Sequence, residues 1–131
     1  MQREFEECKT PLDAFTKARE CALSYFSAII VVGDDTTFHD AVNGMLDRED
    51  RVKVPIGLVP TSVETNDLCL SMGIRTIDQA LDIIVKGTAT PVDSIRVTLD
   101  HELDDELPED KKLDYCRHML GSSVLSIPAQ I

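Results

Sequence analysis

Residues 33–37, Gly-Asp-Asp-Thr-Thr, stand between an apolar, β-branched run and a helical pattern. A turn beyond the carboxyl end of a strand aims free backbone N–H groups and the positive end of a helix dipole at whatever lies in front of it, which suits an anion. Two chemistries are open. With a phosphate as the anion, Gly33, Asp34, Asp35, Thr36 and Thr37 make a nucleotide loop, although two adjacent acids stand where close backbone approach favours glycine. With the chain's own carboxylates as the anion, Asp34 or Asp35 faces the helix N-terminus, and Thr37 with Asp40 forms an [ST]-x-x-[DE] capping box. His39 reads as a partly buried helix residue and not as a base. A second polar turn, Thr-Ser-Val-Glu-Thr-Asn-Asp at 61–67, brings Glu64, Thr65, Asn66 and Asp67 after another apolar run.

These turns need strands before them and helices after them. Residues 27–33, Ser-Ala-Ile-Ile-Val-Val-Gly, predict a strand buried on both faces of a parallel sheet, and 37–49 predict the helix that follows. Residues 52–60 supply a second buried strand bounded by prolines. Upstream, 4–10 read as a short strand, and 11–26 as an amphipathic helix with Leu12, Phe15, Ala18, Ala22 and Phe26 at helical spacing. Downstream, 76–87 are a helix with Thr76 as N-cap and Gly87 as its stop, and 90–99 a strand. Strands alternating with helices point to a parallel α/β sheet. Residues 100–112 break the pattern with a block of acids around His101, read as a solvated loop, and 113–120 add a short helix or strand.

Composition narrows the function classes. With 43% hydrophobic and 28% charged residues, 131 residues suffice for one folded domain. A formal charge of −11 disfavours nucleic acid and anionic membrane surfaces as partners, because both attract clustered Lys and Arg. Nothing is long and apolar enough for a transmembrane segment, and the acidic N-terminus is unlike a targeting peptide. Cys8, Cys21, Cys69 and Cys116 lack metal-ligand spacing, so reduced thiols in an intracellular compartment are expected, without a zinc site. No His, Cys or Ser constellation suggests a nucleophilic enzyme.

"IIVVGDDTTFHDAVNGML" resembles the "VVVGGDGTxxEVVNGL" segment of the diacylglycerol kinase catalytic-domain family, which includes diacylglycerol, sphingosine, ceramide and acylglycerol kinases. Gly33, Asp35, Thr37, Asn43 and Gly44 match that pattern, while Asp34 and Thr36 each replace a glycine. The similarity continues from "VPIGLVP…ETNDLCLSMGI" to the family's "PLGIIPxGTGNDFARxLGI", and from "IDQALDIIVKGTATPVDSIRV" to its "xxALxxILxGxxxPIDLGRV". The second turn keeps Asn66 and Asp67, lacks both glycines of "GTGND" and is one residue longer, so Thr65 or Glu64 falls where the family threonine sits. The resemblance covers about residues 3–99.

The resemblance implies a three-layer, mainly parallel sheet of Rossmann-like or phosphofructokinase-like type over residues 1–99, an acidic loop at 100–112, and the start of a second domain at 113–131. It also implies ATP and Mg2+ as cofactors, held by the two turns, and a lipid hydroxyl as phosphate acceptor. In family terms the chain begins after the first strand and ends before a β-rich second domain, so other protein subunits or a longer polypeptide are expected around it. Thr36 stands where the pattern's glycine is suited to a positive φ, and Asp34 puts a carboxylate in the path of a phosphate. The expectation is a degenerate, non-catalytic domain retained as a structural or interaction subunit, weighed against the ATP-binding part of a working lipid kinase. The compartment, cytoplasmic or mitochondrial, is left open.

Overall fold

The computed structural model describes residues 3–10, 12–64, 66–98 and 116–120. In chain order they form helix α1 (Asp13–Glu20), a 3-10 turn (Leu23–Tyr25), strand β1 (Ile29–Gly33), helix α2 (Asp35–Leu46), strand β2 (Ile56–Pro60), helices α3 (Asp67–Ser71) and α4 (Ile77–Lys86), and strands β3 (Ile95–Thr98) and β4 (Cys116–Met119). The chain divides into two units, one ending at Pro91 and the other beginning at Val92.

In the first unit β1 and β2 run parallel, in register from Ile29 opposite Ile56 to Gly33 opposite Pro60. A parallel pair needs a crossover, and α2 supplies it. Helix α2 packs on α1 and β1, and α4 packs on β2. Alternation along β1 sets the faces. A Cβ added to Gly33 would lie 3.0 Å from Thr37 Cβ, so the face carrying the buried Val31 looks toward α2. A Cβ on Gly57 would lie 2.9 Å from Ile30 Cδ1 and 3.0 Å from Ile84 Cγ1, which places Ile30 on the α4 side.

Burial of β1 on both faces is corrected here. Ile30 is 45% and Val32 67% exposed, because α4 sits over β2 and leaves that face of β1 open among the described residues. Among those residues the parallel sheet has two strands, and the wider three-layer sheet lies beyond what they form. The strand expected over 4–10 is not formed, these residues being neither strand nor helix. The expected 11–26 helix is shorter, ending at Glu20, and the buried Arg48 caps that end. Its guanidinium donates to the carbonyls of Ala18 at 3.0 Å, Arg19 at 2.7 Å and Cys21 at 2.7 Å, satisfying acceptors that the helix end leaves free. Asp50 holds the other edge of the fork, with Nε to Oδ1 at 2.9 Å and Nη2 to Oδ2 at 2.6 Å.

The α1–α2 crossing depends on Gly44. A Cβ there would lie 2.1 Å from Phe15 O, so only glycine lets the α1 backbone come this close. Asn43 beside it is buried, and its Nδ2 donates to His39 O at 2.8 Å. On the α4 side, Cys69, Ile74 and Ala80 make a small buried cluster against Leu58. Helix α4 has the ends read from the sequence: Thr76 Oγ1 accepts from Gln79 N at 3.1 Å, and Gly87 closes the helix at φ 67°.

In the second unit β3 and β4 pair antiparallel, with Ile95 opposite Met119 and Thr98 opposite Cys116. Among the described residues the strand expected over 90–99 spans 95–98 and belongs to an antiparallel pair, not the parallel sheet. Ser94 Oγ lies 3.2 Å from His118 Nδ1 at its edge. The acidic loop at 100–112 lies outside the described residues, as do 121–131. No helix among the described residues is long and apolar enough to cross a membrane.

Candidate functional site

The two polar turns meet at the carboxyl ends of β1 and β2. Thr61 N donates to Gly33 O at 3.2 Å, extending the ladder by one step and holding the start of the second turn beside the end of β1. Beyond that point each strand gives way to a helix, α2 after β1 and α3 after β2.

Helix α2 is capped by Asp34, whose extended backbone (φ −94°, ψ −179°) turns the carboxylate back over the first turn. Its Oδ1 accepts from Thr37 N at 2.8 Å and from Thr37 Oγ1 at 2.7 Å. This corrects the capping box that began at Thr37, which is instead the third helical residue and donates to the cap. Donation first from the Thr37 amide and then from its hydroxyl holds the Asp34 carboxyl below the ordinary carboxylate value. Thr36 lies inside α2, and no residue from 33 to 37 has positive φ. The left-handed conformation associated with the pattern's glycine is thus not adopted, and a β-branched residue fits without strain.

Helix α3 is capped by Asn66, 2% exposed, whose Oδ1 accepts from Cys69 N at 2.9 Å. Asp35 then joins the two turns: its Oδ2 accepts from Asp67 N at 2.9 Å. Gly33, Asp34, Asp35 and Thr37 are thus brought together with Asn66 and Asp67. Thr36 and Glu64 are exposed, and Thr65 lies outside the described residues. Two buried atoms at this junction have no hydrogen-bond partner among the described residues, the acceptor Asp35 Oδ1 and the donor Asn66 Nδ2.

At the start of α2 the Thr37 amide is already engaged by Asp34, so a phosphate brought to that amide would stand beside a carboxylate. Two unit charges at about 4 Å repel by about 1 kcal/mol in water and about 4 kcal/mol at an effective dielectric of 20. Among the described residues no group of three or more His, Cys, Asp or Glu is placed to hold a metal ion.

Sequence reasoning named Asp35 but missed its partner, and it missed Arg48 altogether. Asp35 bonds to the amide of Asp67, a partner no local spacing rule could find. Arg48 reaches back to the end of α1, and its only local signal is the Asp50 that follows it.

Comparison with known proteins identifies the family to which this arrangement belongs. The diacylglycerol kinase catalytic domain matches residues 1–97. A diacylglycerol kinase of Bacillus subtilis (strain 168) is 36% identical over 83 residues, covering 62% of this chain and 26% of that protein. Sphingosine kinase 1 of Arabidopsis thaliana is 38% identical over 63 residues, covering 46% of this chain and 13% of that protein. A diacylglycerol kinase of Staphylococcus aureus (strain Newman) is 32% identical over 82 residues, covering 62% and 25% respectively. The chain spans about a quarter or less of the length of these curated relatives. With the match running through both turns, the helices they introduce and the strand at 95–97, this chain belongs to the diacylglycerol kinase catalytic domain family.

Proposed function

We propose that this chain is a lipid-kinase-type domain whose nucleotide turn is closed by its own carboxylates and which serves as a structural or interaction subunit of a larger assembly. The observation that carries the reading is the double acceptance by Asp34 Oδ1 from the amide and hydroxyl of Thr37, at the helix end where a phosphate would be bound. The reading takes 1–99 as an α/β domain of the three-layer, mainly parallel kind, with other protein subunits or further chain covering the open face of β1. The exposed Ile30 and Val32 support it.

A second reading has its own observations. The relatives are named as diacylglycerol and sphingosine kinases, and Asp35 Oδ1 and Asn66 Nδ2 are buried polar atoms without partners, which a ligand could satisfy. On this reading the chain is the ATP- and Mg2+-binding part of a lipid kinase acting on a lipid hydroxyl. Calorimetric titration with ATP and Mg2+ separates the two. The first expects binding by the unmodified chain in its native assembly to be weaker than micromolar, and a gain of about tenfold to a thousandfold in affinity for the Asp34→Gly/Thr36→Gly variant. Micromolar binding by the unmodified chain overturns the first reading and supports the second.

A further inference from the structure

We propose that Asp35 is a positioning residue for the second turn: its carboxylate seats the N-terminus of α3, and with it Asn66 and Asp67, against the start of α2. The proposal does not rest on whether the turns take a nucleotide. Helix α3 has five residues, too short to persist on its own helical propensity, so its place must be set by contacts outside it. One anchor is apolar, Cys69, fully buried with Ile74, Ala80 and Leu58. That anchor holds the helix against β2 and α4 but leaves its rotation to other contacts. The other anchor is polar, the Asp67 N–H donating to Asp35 Oδ2 at 2.9 Å, a hydrogen bond to a charged acceptor. Asp35 is itself fixed, because it is the first residue of α2 and Asp34 caps that turn. The seat of α3 therefore inherits the geometry of α2. Asn66, 2% exposed, is held between the two anchors with its Oδ1 spent on Cys69 N. The chain keeps this contact although it leaves Asp35 Oδ1 buried and unpartnered among the described residues.

Amide hydrogen exchange by NMR on the full chain tests it. Asp35→Ala should speed exchange at Cys69, Leu70 and Met72 by about tenfold or more while leaving Phe38 in α2 and Val31 in β1 unchanged. Asp35→Asn keeps an oxygen able to accept from Asp67 N–H and should restore most of the protection. Asp67→Pro removes the donor instead, at a first helical position where proline is tolerated, and should loosen the same amides. If the two residues act through one bond, combining Asp35→Ala with Asp67→Pro adds little to either alone. Unchanged α3 exchange in Asp67→Pro overturns the proposal, as does additivity in the double variant or acceleration across α2 and β1 together. Should Asp35→Ala fail to fold, the Asp67→Pro and Asp35→Asn results decide.

Discussion

The two ends of α2 answer to different constraints. At its start, Asp34 and Thr36 stand where the family pattern has glycines, and further along Asn43 and Gly44 stand as the pattern has them. Gly44 has no room to vary, since any Cβ would collide with the Phe15 carbonyl at 2.1 Å and push α1 away. Asp34 faces no such wall. It is exposed, its backbone is extended, and its side chain has an amide and a hydroxyl to bond. Gly44 is required by helix packing, whereas the position of Asp34 accepts a side chain without collision. One end of α2 is fixed by packing, and the other is a self-capped helix start.

Substitutions at the packing end should have the largest effects. Arg48→Ala leaves the carbonyls of Ala18, Arg19 and Cys21 without their shared donor and should destabilise the chain by about 3 kcal/mol, read as a lower urea midpoint. Gly44→Ala gains about 1 kcal/mol of helix propensity but forces α1 off α2, for a net loss of about 2 kcal/mol in the same measurement. A neutral Gly44→Ala would remove the distinction between the two ends.

At the start of α2 the effects should be smaller and of a different kind. Asp34→Ala loses the cap and about 1 kcal/mol, whereas Asp34→Gly costs only a few tenths. Acid should report the same contact. The Asp34 carboxyl lies below its ordinary value of 3.8 in the folded chain, so the folded state gives up that proton more readily than the unfolded one. Its contribution is present above 3.8 and is lost as pH falls through the lower folded value. Asp34→Ala should therefore flatten the acid limb of the stability profile below about pH 4. The effect should be the smallest of the set because Asp34 is exposed to solvent.

What could be read from the sequence tracks how local its cause is. Helix α4 was legible at both ends because Thr76 and Gly87 act within a turn of their own positions. The strand β1 was legible as a strand, but its apolar run says nothing of how far α4 extends over Ile30 and Val32. The cap of α2 was placed three residues late because Thr37 and Asp40 satisfy a local rule, while Asp34 satisfies a competing one. Position, for the site, was legible from the strand–turn–helix pattern and the family resemblance. Its wiring was not, since Asp35 to Asp67 and Arg48 to the end of α1 are contacts between segments far apart in the chain.

In the proposed function the Asp34 carboxylate occupies the start of α2 in place of a phosphate. The Thr37 amide reports it most directly, because its N–H is the donor that either anion would use. In an NMR titration of the unmodified chain with ATP and Mg2+, that resonance should stay where it is, and in the Asp34→Gly/Thr36→Gly variant it should move and saturate. Movement of the Thr37 resonance in the unmodified chain at micromolar nucleotide would contradict that proposal.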